Sequence, residues 1–329
     1  MKVNRREFLR NTGLAAATPL LLSELVACTS SSKSDENKAD FTATAATVVA
    51  PSINEFGIQL WTVKEDVAKD TKGTLKTLSD YGYKFIESFS HEGPEIFCGM
   101  KPKEFKAYLE SIGLTIYSSH CDPIYTFDLK REDEFKKLVD DAASISMTHL
   151  FNPYMGDKIK TLDDVKKATE GLNRCGEICK KAGLKYGYHN HHYAFQKIDG
   201  KYPEDIFLTE SNPDLVDFEM DIYWLTATGQ DPIARRKKYP NRFRYCHVKD
   251  IYPEAKVKEI TATEKINPQF PYNASCNLGT GRIDFAKILK VAADNGAQHF
   301  VVEQGRFDAG PPIQAAKADA DYMKKLAFA

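Results

Sequence analysis

The sequence predicts a closed barrel of eight parallel strands wrapped by helices, a (β/α)8 fold, over residues 53–329. Two observations predict it. The first is a phrase that recurs four times, a helix ending in glycine and then a short apolar strand. It reads YGYKFIES around Gly82, IGLTIYSSH around Gly113, AGLKYGYHNH around Gly183 and NGAQHFVVEQ around Gly296. Glycine is favoured just past a helix C-terminus because the left-handed conformation there carries no Cβ penalty. The apolar, β-rich run after it suits a strand buried on both faces. The second observation is the alternation itself, since strand–helix repetition implies a parallel sheet and eight units close it. An open doubly wound sheet competes, but no glycine-rich phosphate loop follows the first strand. GTGR at 279–282 lies in the long connection after the seventh strand, not between a strand and its crossover helix.

The first strand is expected at Gly57–Trp61, and the helical pattern GTLKTLSDYG leads to the second at Lys84–Glu87. KPKEFKAYLESIG precedes the third, Thr115–Ser119, and the fourth follows at Thr148–Phe151. DVKKATEGLNRCGEICKKAG leads to the fifth, Lys185–His189; the sixth and seventh are Leu215–Asp221 and Arg244–Val248. DFAKILKVAADNG brings in the eighth, His299–Glu303.

Residues 1–52 stand outside this pattern. The opening NRREFLRNTGLAAATPLLLSELVAC has a basic start with Arg5 and Arg6, then an apolar run too short to span a bilayer. It resembles a twin-arginine export signal, with Phe8 and Leu9 at its apolar positions. Leu25-Val26-Ala27-Cys28 resembles a lipobox, so residues 1–28 are expected to be a signal and Cys28 to carry a lipid. The small, polar stretch 29–52 is expected to be a flexible linker, because it cannot bury enough surface to offset its ordering. The expected product is a membrane-anchored lipoprotein in the periplasm or at the cell surface.

A net charge of −1 without a basic block argues against nucleic acid as a partner. Six cysteines follow Cys28, and an even number in an exported chain invites a disulfide reading. The twin-arginine route carries proteins folded in a reducing cytoplasm, so reduced, structural cysteines are the expectation.

In a (β/α)8 barrel the chemistry sits at the C-terminal ends of the strands. Read in order, those ends are Trp61, Glu87, His120, Asn152, His189 with His191, Asp221, His247 with Lys249 and Asp250, and Glu303. Nearly all can titrate or coordinate, whereas the helix ends offer mostly Gly, Lys and Ser. His189, Asp221, His247 and Glu303 close strands five to eight, a contiguous arc. Two imidazoles and two carboxylates converging there suit a divalent cation such as Mn²⁺, Mg²⁺, Co²⁺ or Zn²⁺. Such an ion polarises a carbonyl or hydroxyl oxygen and stabilises an enediolate. Within HNHH, period-two alternation puts His189 and His191 on one face and Asn190 and His192 on the other.

From Phe56 to Leu326 the chain resembles the sugar phosphate isomerase/epimerase group, the xylose isomerase-like TIM barrels. The phrases that carry this are GIQLWTVKED, YHNH, FEMDIYWLTATGQDP, RYCHVKD, GTGRIDF and VVEQ. The resemblance implies a divalent metal held by His189, Asp221, His247 and Glu303, and a sugar or keto-sugar substrate. It departs in one place. Ketose 3-epimerases of the group carry a glutamate where His189 stands, and use paired glutamates to remove and return a proton. Only Glu303 of that pair remains here, and a neutral imidazole bound to a metal cannot also serve as base. The histidine-rich phrase resembles inosose dehydratase and related branches, which abstract a proton next to a carbonyl.

The expected roles follow. Glu303 is the general base and a metal ligand, and His191 is a second acid–base group or substrate contact. Trp61, Glu87, His120, Asn152 and Lys249 are candidate substrate contacts, with a Lys249–Asp250 salt bridge as the alternative for that lysine. His192 is expected to pack or face solvent. The function is a metal-dependent sugar isomerase or epimerase; a keto-sugar dehydratase or lyase, and a non-catalytic lipid-anchored sugar-binding protein, are the alternatives.

Overall fold

A computed structural model describes residues 55–90, 95–254, 274–307 and 310–326. The expected export signal, Cys28 and the linker lie outside the described residues. Eight parallel strands close into a barrel: β1 Gly57–Gln59, β2 Phe85–Phe89, β3 Thr115–His120, β4 His149–Asn152, β5 Lys185–His189, β6 Val216–Asp221, β7 Phe243–Val248 and β10 His299–Val302. Two short strands after β7, β8 Asp250–Ile251 and β9 Ser275–Cys276, form a separate antiparallel pair that the sequence did not announce. The barrel closes where β1 meets β10, with Gly57 opposite Val301 and Ile58 opposite Val302.

Gly82, Gly113, Gly183 and Gly296 all have positive φ, 99°, 76°, 83° and 90°, so each recurring phrase marks a true helix exit. Helix entries are capped as their residues dictate. Asp70 accepts from the Gly73 N–H before the helix Thr71–Tyr81, and Thr161 with Asp164 forms a capping box before Leu162–Lys181. The first strand is shorter than expected. The Gln59 side chain accepts from the Trp61 N–H at 3.1 Å, which turns Leu60–Val63 into a short helical turn.

Side-chain alternation lines the barrel interior in layers. Toward its N-terminal end Phe85, Phe151, Tyr245 and Val301 pack with Tyr117 into an aromatic plug. Glycine makes room for it: a Cβ on Gly187 would meet the Phe151 ring at 2.2 Å, and one on Gly57 the Phe85 ring at 2.3 Å. Two residues further along three of these strands, Glu87, His247 and Glu303 point the same way, so the apolar plug gives way to a charged layer. The six cysteines from Cys98 to Cys276 are free, and five of them are buried.

Candidate functional site

The C-terminal end of the barrel holds a cavity of about 560 Å³ lined by Trp61, Phe89, Ser90, His120, Asp122, Pro123, Pro153, Tyr154, His189, His191 and Glu303. Its floor is built by the strand ends. Asp221 closes β6 and caps the next helix, its Oδ1 accepting from the Trp224 N–H at 2.9 Å. That cap fixes the carboxylate and leaves Oδ2 buried without a hydrogen-bond partner, 3.9 Å from His189 Nε2. Asn190, on the opposite face of its strand from His189, clips β5 to β6: its Oδ1 accepts from the Asp221 N–H at 3.0 Å and its Nδ2 donates to the Asp221 carbonyl at 3.3 Å. His247 Nδ1 lies 3.1 Å from Glu303 Oε2, and Lys249 Nζ lies 3.6 Å from the same oxygen.

One ligand-type atom from each of His189, Asp221, His247 and Glu303 lies within 4.8 Å of the others. A second group, His120, His189, Glu219 and His247, meets the same limit and shares two of its histidines. Glu219 is the residue that sequence reasoning missed. It stands two positions before Asp221 and so on the same inward face, a signal that alternation carried. Its Oε2 lies 2.8 Å from His120 Nε2 and 3.1 Å from His189 Nδ1.

Other expected contacts are placed differently. Glu87 is fully buried beneath the cavity, accepting from Gln59 Nε2 at 2.8 Å and Ser118 Oγ at 2.6 Å, with His247 Nε2 at 2.8 Å. This corrects its expected role as a sugar contact, because its oxygens are committed to protein donors. Asn152 is corrected likewise: Nδ2 donates to Thr126 Oγ1 at 2.7 Å and Oδ1 accepts from the Tyr154 N–H at 3.0 Å. Lys249 pairs with Glu303 rather than with Asp250, and its ammonium sits 5.0 Å from the Tyr223 ring centre. Asp250 instead accepts from the backbone N–H groups of Ile251, Gly279, Gly281 and Ile283, pinning the GTGR loop. His192 is buried, and His120, His191 and Trp61 do line the cavity. Lys64 Nζ covers the Trp61 ring at 3.5 Å from its centre.

Electrostatics here are dominated by burial. Glu87, Glu219, Asp221 and Glu303 converge on Lys249, His120 and His247; the carboxylates outweigh burial and hold both imidazoles above their usual range. The acids still outnumber the bases, an excess of negative charge that a low-dielectric interior tolerates only if further protons or a cation offset it. Burial lifts Asp221 to about 7. Burial opposes ionisation of Glu303 too, but Lys249 and His247 outweigh it and hold that carboxyl well below its usual range. Burial, then His247, depresses His189 to about 4, and burial with His189 beside it holds His191 well below the usual range. Both imidazoles are therefore neutral, the form that can ligate a metal or accept a proton. The orphaned Asp221 Oδ2, the converging donor set and the surplus of carboxylates fit a divalent cation.

Comparisons with known proteins bear on this geometry. A curated inosose dehydratase of Clostridium perfringens is 30% identical over 173 residues, 52% of this chain and 57% of that protein. The chain thus spans little more than half the length of the curated relatives it matches. A crystal structure described as a sugar phosphate isomerase/epimerase from Parabacteroides distasonis superposes with a TM-score of 0.68 at 27% identity, covering 86% of this chain and 98% of that one. The fold is shared with the IOLI protein solved with a binding zinc atom, at a TM-score of 0.64 and 17% identity, over 83% of this chain and 99% of that one. Residues 75–326 match the model of a single family. The chain belongs to the xylose isomerase-like TIM barrel family.

Proposed function

We propose that this protein is a metal-dependent enzyme that removes a proton next to the carbonyl of a keto sugar. The observation that carries the reading is the cavity itself. It brings the ionised Glu303 and the neutral His191 to one chamber with His189, and the buried Asp221 and His247 lie within ligand distance of Glu303 and His189. A divalent cation held by His189, Asp221, His247 and Glu303 would supply Lewis acidity toward the substrate oxygens. Glu303, deprotonated at neutral pH, accepts the carbon-bound proton. Lys249, 3.6 Å away, keeps that carboxylate charged between turnovers. His191 Nδ1 is buried without a hydrogen-bond partner, so it is the second group able to carry a proton.

Within this reading the geometry favours elimination over two-base epimerisation. Strand five presents an imidazole and no second carboxylate, and the curated relatives of the matched region are named inosose dehydratase. The second reading, isomerisation or epimerisation, draws on the structural relatives described as sugar phosphate isomerase/epimerase. Glu303→Gln keeps nearly the same shape without the charge, and base catalysis typically supplies about 10²–10⁴-fold, so turnover should fall by at least that much. The product decides between the two outcomes. Elimination gives an unsaturated keto sugar that absorbs in the near ultraviolet; isomerisation gives a product with all its atoms that has gained solvent deuterium. Full turnover and exchange in Glu303→Gln would remove the proposed base and leave the sugar-binding reading.

A further inference from the structure

The two overlapping ligand groups divide the ring nitrogens of their shared histidines. His189 turns Nε2 toward Asp221 Oδ2 and Nδ1 toward Glu219 Oε2, at 3.9 and 3.1 Å. His247 turns Nδ1 toward Glu303 Oε2 and Nε2 toward Glu87 Oε1, at 3.1 and 2.8 Å. A neutral imidazole has one lone-pair nitrogen and one N–H. An ion on the Asp221–Glu303 side of both rings therefore requires both protons on the Glu219–Glu87 side. Ions in both groups at once would strip both protons from each ring; Glu219 Oε1, buried without a hydrogen-bond partner 3.2 Å from His247 Nε2, is the oxygen of that carboxylate left uncommitted. The lower group, on the Glu219–Glu87 side, is otherwise rich in committed acceptors. Glu219 Oε2 receives His120 as well, at 2.8 Å, and Glu87 is held in turn by Gln59 and Ser118. Both carboxylates are fully buried, so neither can exchange these partners for solvent.

We propose that Glu219 and Glu87 are positioning residues: they fix the tautomer and ring orientation of His189 and His247 for a cation held with Asp221 and Glu303, and the lower group is not a second ion site. Carboxylates that accept the far N–H of a metal-bound histidine raise its basicity, and removing one typically costs about 10–100-fold in metal affinity. The inference rests on the metal-dependent reading above. Its test uses ion binding without substrate, so a failed reaction assay and a failed positioning role remain distinguishable.

Wild-type protein loaded with Zn²⁺ and labelled with ¹⁵N-histidine should show the proton on Nδ1 of His189 and on Nε2 of His247 by two-bond ¹H–¹⁵N correlation. The opposite tautomers would overturn the assignment, and this measurement needs no variant to fold. Chelator competition should then show Zn²⁺ affinity about 10–100-fold weaker in Glu219→Gln and in Glu87→Gln. Asp221→Asn should lose the ion, whereas His120→Gln, which removes no ligand of the upper group, should retain stoichiometric binding. Unchanged affinity in both Gln variants refutes positioning. Loss of the ion in His120→Gln with retention in Asp221→Asn would place the ion in the lower group and refute the proposal.

Discussion

Glu204 offers a sharp test of the electrostatic argument away from the reaction centre. It lies in the first turn of the helix Pro203–Glu210, fully buried, and burial lifts its carboxyl from 4.5 to about 7. Arg235 Nη1 lies 3.2 Å away but makes its hydrogen bond to Asp205, at 2.6 Å, so Glu204 is only partly compensated. The sign follows from linkage. The folded state holds this proton more tightly than the unfolded chain, so stability is lost as pH rises from the unfolded value toward the folded one, then levels off. At 1.36 kcal/mol per pKa unit, the shift between those two values sets a ceiling of about 3 kcal/mol at pH 8 and about 1 kcal/mol at pH 5.5. Glu204→Gln removes the titration and leaves Arg235 paired with Asp205. Urea unfolding of the metal-free protein should show the variant gaining on the wild type by about 2 kcal/mol between pH 5.5 and pH 8. A difference independent of pH, or a variant less stable than wild type at pH 8, would refute the reasoning.

Three further outcomes are expected. Asp221→Asn keeps an oxygen to cap the Trp224 N–H but loses the charge on Oδ2, so elemental analysis should find the bound divalent ion of the wild type absent from it; equal metal content would exclude this site. Added Zn²⁺ at about 100 times its dissociation constant should stabilise the wild type by about 2.7 kcal/mol in thermal unfolding and leave Asp221→Asn unmoved. Cys28→Ala in the full chain should move the protein from the membrane to the soluble fraction, and unchanged membrane association would dispose of the proposed lipid anchor.

Much of the barrel was legible because its punctuation is local. Gly82, Gly113, Gly183 and Gly296 mark helix exits by a backbone conformation that depends on one residue, and the strand that follows each is apolar over a few positions. β5 ran over the residues expected, and the other strand boundaries moved by two residues or fewer. The candidate ligands were legible for the same reason, since a strand's end and its inward face can both be counted along the chain. Glu219 is open to the same counting, but an inward position in mid-strand ordinarily belongs to the core, so periodicity alone does not mark it as part of the site.

Depth within the barrel was not legible. Glu87, His120 and Asn152 all stand near strand ends, yet His120 reaches the cavity while Glu87 lies beneath it and Asn152 is tied to Thr126. A shift of register between Ile86 and Glu87, where β2 pairs with β3, helps set how far each side chain rises, and it depends on the neighbouring strand. By itself the sequence determined which residues turn inward and at which end of the barrel they lie, because strand periodicity and helix termination are short-range. Only the tertiary structure decided which of them touch. Glu87 and His247 meet at 2.8 Å although 160 residues separate them, a distance set by the stagger and closure of all eight strands.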